Sequence, residues 1–139
     1  MSFEKLNETS INNQHERSCI MIVNFNKKEI GIIKNVGRLV GIRDCISLNH
    51  KNGQSRIVDI LNDNVLTDGE ETWTNKAIIF NNIEQMKING FLESLKKMKI
   101  QRPLSAVVTE TTIDWTLNKL VYNLIQERNA LKSGQTLNH

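Results

Sequence analysis

The chain has 139 residues, a net charge of +3, 39% hydrophobic and 24% charged residues. That balance suits one globular domain with a single core and excludes an intrinsically disordered chain; the mild charge does not mark a nucleic-acid binder, which concentrates cations on one face. No run approaches the roughly 20 consecutive apolar residues of a membrane span, and residues 1–17 lack the apolar stretch of a signal peptide, so a cytoplasmic location with no membrane partner is expected. Cys19 and Cys45 are then reduced thiols in core strands. The 18 asparagines beside a single proline read as AT-rich base composition.

Residues 1–17 read as a flexible tail, with a short helix around Phe3 to Leu6. Cys19 to Phe25 is a continuous apolar run, the pattern of a strand covered on both faces. Asn26 with Glu29 three positions later has capping-box spacing, and Ile30, Ile33, Val36 and Val40 give the following helix one apolar face. Gly41 is its stop signal. A second strand follows at Asp44 to Leu48, then a polar loop from Asn49 to Gln54. Ser55 is placed to cap a short helix carrying Ile57, Ile60 and Leu61.

Asn62 to Asn75 breaks the pattern and reads as a join, or as a small hairpin from Val65 to Thr74 around Asp68-Gly69. Lys76 to Asn81 is a third, buried strand. A helix from about Ile83 to Met98 aligns Ile88, Phe91, Leu95 and Met98, and Arg102-Pro103 ends it. Leu104 to Thr109 is the fourth strand. Thr111 to Asp114 has capping-box spacing and opens a long helix with Ile113, Leu117, Leu120 and Leu124 on one stripe. Residues 132–139 read as a frayed end.

The apolar pattern occurs twice. Met21-Ile22-Val23-Asn24 returns as Ile78-Ile79-Phe80-Asn81, 57 positions on, and Leu48, Ile57, Ile60 and Leu61 return as Val108, Leu117, Leu120 and Val121, 60 positions on. Polar loops hardly match, and the one polar residue kept is Asn24, paired with Asn81. The expected fold is α/β: duplicated βαβα units, at 18–64 and 76–131 within one domain of 18–131, form a small, mainly parallel four-stranded sheet with flanking helices. The preferred strand order is 2-1-3-4; the main rival has the two repeats meeting antiparallel at the centre.

Ala77-Ile78-Ile79-Phe80-Asn81, Arg102-Pro103, Ala106-Val107-Val108-Thr109, and Trp115-Thr116-Leu117 with Leu120 follow one another in an order that resembles the bacterial family called domain of unknown function 3783. The resemblance covers about residues 76–131. Asp114 stands where the family usually has Asn ahead of the Trp. No activity is known for the family, so the resemblance implies the element order and no catalytic residues.

No phosphate-binding glycine loop, nucleophile elbow or close-spaced metal-ligand set is present. His15, His50 and His139 are scattered. No catalytic residue, metal or cofactor is therefore assigned, and enzyme action ranks last. In an open parallel sheet, ligands bind beyond the carboxyl ends of strands where the order reverses. A crevice between the first and third strands would carry Asn24, Asn26, Asn81 and Asn82 at its rim, with Glu110 nearby; helix capping is the competing role for the asparagines. Lys96, Lys97, Lys99 and Arg102 match the charge that a helix C-terminus favours, so a nucleic-acid partner is not expected. Trp73, Trp115 and Tyr122 are the candidate interface rings. The reading is a non-catalytic protein-interaction or regulatory module that self-associates as a homodimer or binds another protein; the alternative is a small-molecule or anion-binding domain using the crevice.

Overall fold

The computed structural model of the chain describes residues 16–133. The expected tail up to His15, its short helix, and residues 134–139 with His139 lie outside these. Within them the order is β1 (Cys19–Val23), α1 (Lys27–Val40), β2 (Cys45–Leu48), a 3-10 turn (His50–Asn52), α2 (Ile57–Leu61), β3 (Ala77–Asn81), α3 (Gln85–Lys97), β4 (Leu104–Val107), a second 3-10 turn (Thr112–Asp114) and α4 (Leu117–Ser133).

The four strands form one open sheet in the order β2-β1-β3-β4. β1 runs parallel to β2 and β3 parallel to β4. The central pair is antiparallel: Met21 faces Ile79, with Cys19 opposite Asn81 and Val23 opposite Ala77. The sheet is therefore mixed, which corrects the mainly parallel expectation. The cause lies in the join. α2 is only five residues long, and residues 62–76 carry the chain back across the domain. Asp63 meets Arg17 at one end of the sheet, and Asn75 meets Asn24 at the other. β3 thus begins beside the end of β1 and must run against it.

Every residue of β1 and β3 is buried, because helices cover both faces. On one face, Ile20, Ile22, Ile78 and Phe80 pack against Ile33 and Val36 of α1 and Ile88, Phe91 and Leu95 of α3. The Phe80 and Phe91 rings meet edge to face at 5.8 Å. On the other face, Cys19, Met21, Val23, Ala77 and Ile79 pack against Ile57, Ile60 and Leu61 of α2 and Leu117, Leu120 and Val121 of α4. Each βαβα half thus contributes one helix to each layer.

The start of α1 is as expected: Asn26 Oδ1 accepts from Glu29 N at 2.8 Å, and Glu29 Oε1 accepts from Asn26 N at 2.9 Å. Gly41 ends the helix at φ 89°, a conformation open to glycine. Other boundaries move. The Thr109 and Thr112 hydroxyls bond each other's backbone N–H, which closes a separate turn. Trp115 is then extended, so α4 begins at Leu117, with Thr116 Oγ1 accepting from Lys119 N. No strand forms at Val65 to Thr74. That segment is a strap: Leu66 N donates to Ser55 Oγ at 2.8 Å, Asn52 Nδ2 donates to Leu66 O at 2.9 Å, and Gly69 N donates to Lys51 O at 2.8 Å. Ser55, expected as a helix cap, is buried and holds this strap.

Candidate functional site

Because β1 and β3 are antiparallel, their carboxyl ends lie at opposite ends of the sheet. The four asparagines divide accordingly into two pairs, and no crevice joins them. At one end, Asn24 adopts φ 66°, a left-handed conformation that Asn tolerates better than most residues. Its Oδ1 accepts from His50 N at 3.1 Å and its Nδ2 donates to Asn75 O at 3.0 Å. One side chain thereby ties the end of β1 to the turn after β2 and to the end of the strap. Asn26 is occupied in the α1 cap. Beside it, Lys76 Nζ lies 2.7 Å from Glu29 Oε2 and 5.9 Å from the Phe25 ring centre. Burial alone would raise the Glu29 carboxyl, but the Lys76 hydrogen bond, the Asn26 N–H and the Lys76 charge outweigh it, and the net direction is down.

At the other end, Asn81 is buried and donates through Nδ2 to Arg17 O at 2.7 Å. It belongs to β3, and Glu84 takes the cap position of α3, so the capping role expected of Asn81 is not the one it has. Asn82, at φ 56°, donates to Glu16 O at 2.7 Å, while its carbonyl accepts from Ser18 Oγ at 2.9 Å. Asn82 thus follows β3 as Asn24 follows β1, each in a left-handed conformation. Glu110 follows β4 at this same end and is exposed.

A cluster that sequence reasoning missed lies beside Asn81. Arg17 Nε donates to Asp44 at 2.7 Å, and its Nη1 donates to Leu61 O at 2.7 Å and to Asp63 at 3.1 Å. These contacts join the entry to β1 with the entry to β2 and the end of α2. Nothing in the polar run around Arg17 has a period that signals this cluster.

Cys19 is fully buried and Cys45 partly so, and both are free thiols. Burial, then the Asp44 charge, push the Cys19 thiol up to about 12, with Arg17 opposing. Burial also raises Cys45. Neither is an electropositive, accessible nucleophile. Among the described residues no group of three or more His, Cys, Asp or Glu side chains is placed to hold a metal ion. An open cleft of about 550 Å³ lies between α3 and the edge of β4, lined in part by Asn89, Glu93, Lys96, Arg102 and Ser105.

The three aromatic candidates separate. Trp73 donates through Nε1 to Asn118 Oδ1 at 2.6 Å and packs on the core. Trp115 is partly buried under Lys119, whose Nζ sits 4.5 Å from its ring centre. Only Tyr122 stands out from the surface, at 57% exposure.

A family model described as "Domain of unknown function (DUF3783)" matches residues 76–131, which run from the start of β3 through most of α4. No curated protein and no solved structure matches the chain. Within the matched segment, Trp115, Thr116 and Leu117 make the second backbone junction between the halves. Arg56 and Thr116 form an isolated antiparallel bridge, Ile57 N donates to Trp115 O at 2.9 Å, and Leu117 N donates to Ser55 O at 2.8 Å.

Proposed function

We propose that this chain is a non-catalytic, cytoplasmic protein-interaction or regulatory module that self-associates, and that it arose by internal duplication of a βαβα unit. The duplication is supported by the way the halves meet. Arg56 bridges Thr116, 60 positions later, and the flanking hydrogen bonds exchange the same two positions in each half. Any antiparallel bridge exchanges bonds in this way; the support comes from the offset, since 60 is also the spacing at which Ile57, Ile60 and Leu61 return as Leu117, Leu120 and Val121. Asn24 and Asn82 share their conformation, and Asn49 with Asn52 closes the turn after β2 as Thr109 with Thr112 closes the turn after β4.

Self-association rests on one observation: the apolar stripe of α4 outruns its own core. Leu117, Leu120 and Val121 are buried, Leu124 is partly covered, and Leu131 on the same stripe is 55% exposed. α4 packs on β4, an edge strand, and Val107 of that strand is exposed on the opposite face of the sheet. An uncovered edge is a template for another strand. The occupant that fits is a second copy of the chain. Residues 103–133 hold three acidic and three basic side chains, so two such surfaces meet without net repulsion, and an edge pairing antiparallel with its own copy makes a closed, isologous contact.

Analytical ultracentrifugation tests this. Wild type is expected to sediment as a dimer at high micromolar concentration, and Val107→Lys with Leu131→Asp as a folded monomer, since both positions are exposed. A wild-type protein that stays monomeric over that range sinks the reading.

A further inference from the structure

The charge of the molecule is sorted by layer. Residues 26–43 and 84–102, which carry α1 and α3, hold ten Lys and Arg against three Glu, a net +7; the remaining described residues sum to −3. All ten cations are exposed, and the ion pairs among the described residues use none of them. Helix stability accounts for part of the cluster only. Arg38, Lys96 and Lys97 stand in last turns, where the helix dipole favours a cation. Lys27, Lys28 and Lys87 stand in first turns, where it disfavours one.

The same layer carries the two most exposed large apolar side chains among the described residues, Leu39 at 87% and Met86 at 84%. They belong to one end of the layer. A Cβ at Gly41 would lie 3.4 Å from Lys87 Nζ, so the end of α1 carrying Leu39 sits beside the start of α3 carrying Met86. A phosphate backbone would reward the cations and leave Leu39 and Met86 in water. The layer has no exposed aromatic on which bases could stack. A second copy could not meet this face symmetrically, with +7 opposing +7. An anionic lipid surface rewards both features: its headgroups attract Lys and Arg, and its interface admits apolar side chains from a helix lying in the plane.

We propose that the α1/α3 layer is a peripheral docking surface for anionic membranes, with Leu39 and Met86 entering the headgroup region. The expectation of no membrane partner rested on linear apolar runs. A surface assembled from two helices 58 positions apart leaves no such run, and no helix among the described residues is long and apolar enough to cross a bilayer.

Co-sedimentation of the full chain with phosphatidylcholine vesicles, with and without phosphatidylglycerol, tests the proposal. Binding is expected to the anionic vesicles only, and to fall as salt is raised. The triple variant K27E/K28E/K87E is expected to weaken it by about tenfold or more, and L39S/M86S to weaken it while leaving the melting temperature unchanged. Equal binding to neutral vesicles, or no vesicle binding at low salt, overturns the proposal. Binding of duplex DNA that the charge reversals abolish and L39S/M86S leaves intact, without vesicle binding, also overturns it and assigns the layer to nucleic acid.

Discussion

Arg56 faces Thr116 across an isolated antiparallel bridge, the second place, after the β1–β3 ladder, where the backbones of the two halves join. Ile57 and Leu117, immediately after each bridge residue, are both fully buried in the core that α2 and α4 share. Neither half can loosen without exposing the other. Unfolding is therefore expected as one transition, with tryptophan fluorescence and far-ultraviolet circular dichroism superimposing. Leu117→Ala is expected to shift both curves together by about 2–5 kcal/mol through cavity formation. A biphasic curve, or a shift seen by one probe alone, would show the halves to be independent.

Asn24 and Asn82 combine a left-handed backbone with side-chain bonds to distant backbone groups. Glycine at either position keeps the conformation and loses the bonds; alanine loses both. Denaturant melts should rank wild type above Gly and Gly above Ala, the last step being about 1–2 kcal/mol. Alanine as stable as glycine would mean that backbone strain contributes nothing at these positions.

Much of the fold is legible in the residues, and the reason is periodicity. Cys19 to Val23 and Ala77 to Asn81 announce themselves as buried strands, Asn26 with Glu29 marks a helix start, and the strand order follows from compact connections. Direction does not show in the same pattern. A central strand covered on both faces reads as a continuous apolar run whether its neighbour is parallel or antiparallel. Here the shortness of α2 and the course of the strap decide, and the strap has no period. The candidate site depended on that direction. Once β3 is reversed, Asn24 and Asn81 part company, while the cationic layer comes together from two helices whose lysines looked individually ordinary.

The Glu29 carboxyl is held below its usual range, so its link to Lys76 stabilises the folded state fully above the unfolded value of about 4.3 and less as pH falls through the lower folded value. Lys76→Met is expected to lower stability near neutrality, modestly because the pair is partly solvated and screened, and to converge with wild type as pH falls, so that its acid limb is flatter. A profile with an unchanged acid slope would count against the pairing.

The Cys19 thiol has the opposite sense. Its raised value means a contribution present in full below the unfolded value of about 8.5, and lost as pH climbs from there toward about 12. Stability is expected to fall above about pH 8.5, less steeply in Cys19→Ala. A thiol-specific disulfide reagent at pH 8 should modify Cys19 only at the rate at which the protein unfolds. Rapid modification of the native protein would contradict its burial in β1.

The antiparallel meeting of β1 and β3 about Met21 and Ile79 has a consequence for molecularity. A strand set antiparallel to its neighbour can meet a copy of that neighbour from another chain in the same register. Two chains that open at residues 62–76 could trade halves, rebuild each sheet with borrowed strands, and regain the native contacts. The segment is latched to its own half by the bonds from Leu66 to Ser55 and Asn52 and from Gly69 to Lys51. Loosening the latch, as Ser55→Ala would, is expected to yield a slowly exchanging swapped dimer on refolding at high concentration. A refolded Ser55→Ala protein that stays monomeric at high concentration would show that these bonds do not govern the exchange.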